Sequence, residues 1–196
     1  MKQQIAESFF NETKTDLLEA IGKLDEGHLA ELLKIAHAVE RSWKNCGKLM
    51  VCGNGGSASD AQHIVAELVG RFEADRNAYA AMALTANSSI TTAVSNDYGF
   101  DHIFSRQVDG LGGSNDVLLV ISTSGNSANC IKAVESARNI GLACFGFLGR
   151  DGGKLLPLLD GAVIAPSSHT PRIQEIHITI GHLLCQILEQ WQQDES

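Results

Sequence analysis

Two segments carry side chains that could act on a substrate together. In Gln62-His63-Ile64-Val65-Ala66-Glu67 an imidazole and a carboxylate stand at i and i+4. On a helix that spacing puts both on one face. A second helical stretch near the C-terminus carries Gln174, Glu175, His177 and His182. Positions 174, 178 and 182 form one stripe, so Gln174 and His182 can face the same side two turns apart. An imidazole and a carboxylate from one helix, joined by an imidazole and an amide from another, can bind a divalent metal or act as an acid/base pair. A lone His/Glu pair of this kind is equally compatible with a surface salt link. His28, His37, His102 and His169 have nothing to distinguish them and read as structural.

Two loops could hold an anion. Cys52-Gly53-Asn54-Gly55-Gly56-Ser57-Ala58-Ser59-Asp60 follows an apolar run and opens a helix. Its glycines allow close backbone approach, and the helix start offers free N–H groups. No Lys follows, so it is not a P-loop. Gly53, Gly55 and Ala58 match a dinucleotide fingerprint, but the next strand ends Ala83-Leu84-Thr85 without the acid a ribose needs. A purely structural tight turn also remains open. The second loop, Ser122-Thr123-Ser124-Gly125-Asn126-Ser127, supplies four hydroxyls at another strand-to-helix junction. Hydroxyls and amides can hold a phosphate without Lys or Arg; the plainer reading is an N-cap in an ordinary turn.

The elements around these loops alternate. Residues 3–22 and 25–45 read as amphipathic helices forming an N-terminal hairpin. Short apolar runs follow at Lys48–Cys52, Ala80–Thr85, Asp116–Ser122, Leu142–Leu148 and Gly161–Pro166, as expected of buried parallel strands. Helices are expected at about 57–72, 87–96, 100–110, 127–140, 152–159 and 171–193. The pattern predicts an α/β fold, doubly wound around a five-stranded parallel sheet. Ligands of such sheets sit beyond the carboxyl ends of the strands, where both loops lie.

Composition narrows the class. The chain has 196 residues, a formal net charge of −8 and 44% hydrophobic residues. That fits one soluble domain over 1–196, with helices in 1–45 and the α/β core and C-terminal helix in 46–196. The charge argues against nucleic-acid binding through a basic surface. The longest uncharged stretch, Asn77 to Asn96, carries nine Asn, Ser or Thr residues, so no membrane span is expected. MKQQIAESFF lacks the apolar core of a signal peptide. Five scattered Cys without a CxxC suit reduced, mostly buried thiols in the cytoplasm. Many of the 19 Gly fall at strand-end loops and turns, among them Gly53, Gly55, Gly56, Gly125, Gly149, Gly152 and Gly153.

In combination, CGNGGSASDAQHIVAELVGRF, SNDYGFDHIFSRQ, DVLLVISTSGNSANCIKAVE, GRDGGKL and PRIQEIHITIGHLLCQILE resemble the sugar-isomerase (SIS) domain family, and within it the phosphoheptose isomerases. The resemblance implies a flavodoxin-like sheet and a homotetramer with active sites at subunit interfaces. It implies interconversion of sedoheptulose 7-phosphate and D-glycero-D-manno-heptose 7-phosphate through an enediol, the first step of ADP-heptose and lipopolysaccharide core biosynthesis. It implies one zinc per subunit, held by His63, Glu67, Gln174 and His182. Substrate contacts carry over to Asn54, Gly55, Gly56, Ser57, Glu67, Asn96, Asp97, Ser122, Thr123, Ser124, Ser127 and Gln174, with Arg71 a further polar residue near the site. Within this frame Glu67 is the expected base and His182 the expected acid. Some members carry an acid just before Arg-Ile-Gln; here His169-Thr170-Pro171 precedes Arg172. Non-catalytic SIS proteins that bind a replication initiator are also similar, but lack the carboxylate at 67 and the imidazole at 182. A ketose phosphate of another length is the remaining alternative.

Overall fold

The structure, a computed structural model, describes residues 1–194 of the chain. Strands β1 (Leu49–Gly53) and β3 (Val117–Ser122) are buried along their whole length. That explains why they are apolar at successive positions and not at alternate ones: helices cover both faces of the sheet. Beside them lie β2 (Ala81–Ala83), β4 (Ala143–Gly149) and β5 (Gly161–Ala165). All neighbours pair in parallel, in the order β2-β1-β3-β4-β5. This is the flavodoxin-like order, whose winding reverses between β1 and β3.

Side chains alternate between the two faces. Leu49, Val51, Leu119, Ile121 and Phe147 join one core layer with α2 (Glu26–Lys44), α3 (Gly56–Val69) and α7 (Thr170–Asp194). Met50, Cys52, Leu118 and Val120 join the other with α5 (Ser105–Leu111) and α6 (Ala128–Asn139). Helix α7 presents Ile173, Ile176, Ile180, Leu184 and Leu188 to the sheet, the spacing of one helical face.

Helix α2 starts at a capping box. The Asp25 carboxylate accepts from Gly27 N at 3.0 Å and His28 N at 3.1 Å, while His28 Nδ1 accepts from Asp25 N at 3.2 Å. His28 is therefore structural, as expected. The two N-terminal helices fare differently. Helix α2 buries Leu32, Ile35, Ala36 and Val39 in its own chain's core, whereas α1 (Lys2–Gly22) buries only Ala20 and leaves Ile5, Phe9, Phe10, Leu18 and Ile21 exposed.

Several element boundaries differ from the sequence reading. The expected helix 152–159 is only a 3-10 turn at Leu156–Leu158. Gly152 and Gly153 adopt φ of 79° and 54°, outside helical space, and Pro157 lacks an N–H donor. The expected helix 100–110 breaks into a 3-10 turn, Phe100–His102, and α5. Strand β2 is a three-residue, half-buried edge. Helix α4 spans Ser88–Tyr98 and buries no side chain. Among the described residues, no helix is long and apolar enough to cross a membrane.

Candidate active site

The two Gly- and Ser-rich loops leave β1 and β3 at the point where the winding reverses. Gly55 caps α3 at φ 56°, and no side chain bonds the helix start. Ser57 N donates to Asn54 O at 3.0 Å, and Ala58 N and Ser59 N donate to Gly55 O at 3.0 and 3.2 Å, so these first-turn amides are satisfied within the turn itself. Ser127 occupies the N-cap position of α6, yet its hydroxyl makes no capping bond. It lies 3.4 Å from Ser122 Oγ, which accepts from Gly125 N at 3.1 Å. Ser124 Oγ accepts from Asn126 N at 3.2 Å. Ser57 is buried, while Thr123 and Ser124 are half-buried. A reciprocal amide pair joins the loops: each of Asn54 and Asn129 donates from Nδ2 to the other's Oδ1 at 2.8 Å. Where a dinucleotide site would need an acid beyond β2, Thr85 instead takes a 3.2 Å bond from Gln62 Nε2.

The second grouping lies between α3 and α7. His63 Nε2 stands 3.1 Å from Glu67 Oε1 and 3.3 Å from His182 Nε2. The two rings meet edge to face, centroids 4.9 Å apart. One ligand atom from each of the three residues falls within 4.8 Å of the others. A deprotonated imidazole nitrogen and a carboxylate oxygen are acceptors, so atoms this close call for a shared proton or a cation between them. A tetrahedral zinc, with Zn–N of about 2.0–2.1 Å, sets two ligand nitrogens about 3.3–3.4 Å apart. The observed nitrogen separation and the N/N/O donor set fit that ion.

The structure separates other expected site residues from this cluster. Gln174 lies over Gly56 at the start of α3, where any Cβ on residue 56 would collide with its amide. It thus joins the Gly-rich loop, two turns of α7 and about 12 Å of helix rise before His182. Asn96 and Asp97 are exposed at the end of α4, with Asn96 Nδ2 donating to Asp97 Oδ1 at 2.8 Å. Arg71 is exposed in the loop beyond α3. Glu175 pairs with Arg172, whose guanidinium also donates to Thr13 O at 3.3 Å and ties α1 to α7. His177 points into the core, and its Nε2 donates to Leu148 O at 2.9 Å. Burial pushes its pKa down to about 4.

Two features had no counterpart in the sequence reading. Asp60, one turn before His63, has a buried Oδ2 without a hydrogen-bond partner. Desolvation holds its carboxyl above the usual range, against the opposing pull of His63. Thr85, Thr91, Phe100, Ile103 and Phe104 enclose a cavity of about 160 Å³ with Gly53, Asn54 and Gly55. Neither had a motif or a period to reveal it.

Comparison with known proteins identifies the family. The SIS domain family model matches residues 9–149. A phosphoheptose isomerase of Helicobacter pylori (strain P12) is 50% identical over 172 residues, 87% of this chain and 89% of the relative. One from a Nitratiruptor species is 54% identical over 147 residues, 75% and 79% of the two chains. The solved phosphoheptose isomerase of Neisseria gonorrhoeae superposes with a TM-score of 0.85 at 41% identity, covering 97% of this chain and 100% of its own. That of Francisella tularensis gives 0.87 at 36% identity, covering 97% and 99%. On these matches, the chain belongs to the SIS-domain family and, within it, to the phosphoheptose isomerases.

Proposed function

We propose that this isomerase interconverts sedoheptulose 7-phosphate and D-glycero-D-manno-heptose 7-phosphate, the first step towards ADP-heptose and the lipopolysaccharide core. The observation that carries the chemistry is the meeting of His63, Glu67 and His182 within 4.8 Å, from two helices far apart in sequence. Carbohydrate isomerisation needs a base over one carbon and an acid at the neighbouring oxygen. Glu67 takes the proton from C1 of the ketose. His182 gives a proton to O2, which leaves an enediol. The proton held by Glu67 then returns to C2, the O1 proton leaves to His182, and the aldehyde forms at C1. His63 orients the Glu67 carboxylate through its 3.1 Å bond to Oε1. Zinc, held by His63, Glu67 and His182, would polarise the sugar oxygens as a Lewis acid; Gln174, the fourth ligand that family resemblance implies, rests on Gly56 in this chain and is assigned to the substrate wall instead.

Phosphate is assigned to the Ser122–Ser127 loop, with Thr123 and Ser124, and to the uncapped start of α6. Asn54, Gly55, Gly56, Ser57 and Gln174 form the neighbouring wall. Residues 1–196 are read as a single SIS domain. The protein is also read as a cytoplasmic homotetramer with shared active sites. Two observations support sharing. Glu67 lies eleven residues beyond Gly56, about 16 Å along α3 at 1.5 Å per residue, so one chain holds its acid–base cluster well below its own Gly-rich loop, which Asn54 and Asn129 join to the phosphate loop. In addition, α1 exposes Phe9 and Phe10 at 63% and 68%. Asn96, Asp97 and Arg71, all exposed in one chain, are then free to reach a neighbour's site.

The decisive test is wash-in of solvent deuterium at the isomerising carbon of sedoheptulose 7-phosphate, run beside five- and six-carbon ketose phosphates. Wash-in with the seven-carbon sugar is the expected result. No exchange with any sugar would point to a non-catalytic binding module, and preference for a shorter sugar would move the substrate.

A further inference from the structure

Beyond α3 the chain turns through residues 70–80 before entering β2, and one arginine organises that turn. Arg76 Nη2 donates to Glu67 O at 2.8 Å, and Nη1 donates to Leu68 O at 3.0 Å. These carbonyls belong to the last turn of α3, which lacks partners inside the helix. Arg76 Nε donates to Glu189 Oε1 of α7 at 2.9 Å. The Glu189 carboxylate also accepts from Phe72 N at 3.3 Å, Glu73 N at 3.1 Å and Ala74 N at 3.0 Å. The guanidinium lies 3.9 Å above the Tyr79 ring. Both side chains are nearly buried, at 6% and 7% exposure.

The placement of this pair is specific. Arg76 grips the backbone of Glu67 itself. Glu189 follows His182 by seven residues, two turns along the same face of α7. Phe72, whose N–H Glu189 holds, sets its ring 5.8 Å from the His182 ring. Higher on the same pair of helices, Gly181 allows close contact: a Cβ there would stand 2.8 Å from Ile64 Cδ1 of α3. The helices therefore meet tightly on one side of the cluster and are bound by an ion pair on the other.

We propose that Arg76 and Glu189 are positioning residues of the isomerase, a buried clamp that fixes Glu67 and His63 of α3 against His182 of α7. This inference rests on the roles assigned above to Glu67 and His182. The clamp touches no substrate atom; it acts through the backbone of Glu67 and through Phe72.

The test uses the full-length protein with Arg76→Lys, Glu189→Gln and the double variant Arg76→Met/Glu189→Leu. Lysine keeps a charge beside Glu189 but cannot span both carbonyls and the carboxylate. The double variant strands no buried ion; where it fails to fold, Glu189→Gln, which keeps an acceptor for the amides of residues 72–74, carries the same test. The expected result is a fall in kcat of roughly 10–100-fold, the range for supports of a catalytic shell. KM for the sugar phosphate stays within about threefold, because the Ser122–Ser127 phosphate loop opens α6 and is joined, through Asn129 and Asn54, to the far end of α3. Metal-free crystal structures should show a wider His63–His182 nitrogen separation in the double variant than in the parent, where it is 3.3 Å. A double variant with parental kcat, or one whose kcat and KM change together with ring positions unchanged, overturns the clamp. A parent that fails to isomerise the sugar overturns the functional reading instead, and the ring positions then decide the clamp alone.

Discussion

His63 Nε2 and His182 Nε2 lie 3.3 Å apart across 119 positions of sequence. The close approach of α3 and α7 produces this contact, and it turns a surface-compatible His/Glu pair into a three-residue cluster. Two imidazoles and a carboxylate in such proximity could hold a borderline-soft divalent ion. We therefore expect His63→Ala and His182→Ala each to lower zinc affinity by more than about 100-fold, since loss of supporting contacts alone reaches 10–100-fold. Competition against a chromophoric chelator measures this; parental affinity in either variant would remove that ligand from the site.

Glu67 carries the proton in the proposed reaction. Glu67→Gln preserves size and polarity but removes the base. Turnover should fall by roughly 10²–10⁴-fold, the contribution of a positioned acid–base group. Circular dichroism and thermal unfolding should match the parent, because the side chain is partly exposed and lies outside the core clusters. Full activity in the folded variant would reassign the base.

The proposed homotetramer with shared active sites makes a mixing prediction. Glu67→Gln lacks the base, and Ser124→Phe blocks the phosphate loop, so each homotetramer should be nearly inactive. If the sites combine loop and cluster from different chains, mixed tetramers contain some sites with neither lesion. Dissociating and reassembling the two variants together should then restore activity, up to about a quarter of the parental value in the simplest two-chain arrangement. No recovery in verified mixed tetramers would confine each site to one chain.

His177 sets a pH dependence on stability. Its pKa is pushed down to about 4 by burial, while the unfolded chain titrates near the ordinary value of 6.5. Between these values the unfolded state binds a proton that the folded state does not. Stability from this group is complete above pH 6.5 and is lost as pH falls toward 4. The size is about 3 kcal/mol, at 1.36 kcal/mol per pKa unit. Urea unfolding at pH 7.5 and 4.5 should show that loss, and His177→Asn should shrink it. NMR titration should find one imidazole near pH 4; an ordinary value for His177 would refute the burial argument.

The sequence was most informative where local chemistry governs. All five strands were legible as short apolar runs, because strands covered on both faces are apolar throughout; the half-buried edge β2 keeps only three residues of its run. The Gly55 and Ser127 junctions were legible because strand-to-helix turns need particular residues. Boundaries slipped at 152–159, where Gly152 and Gly153 take positive φ, and at 100–110, where the chain breaks at His102–Phe104. Gln174 shows the limit of a periodicity argument. Its stripe was read correctly, yet its side chain rests on Gly56 and not beside His182, because a helical face spans more length than one site.

By itself, then, the sequence determined the α/β class, the order of elements, the two anion-ready loops and the residue types available for proton transfer. These follow from backbone propensity and hydrophobic period, which act over a few neighbouring residues. Tertiary structure alone decided that His63, Glu67 and His182 converge, and that Arg76 reaches Glu189 across 113 positions. Such contacts depend on how closely two helices pack, through details such as the missing side chain at Gly181, and no local pattern encodes that distance.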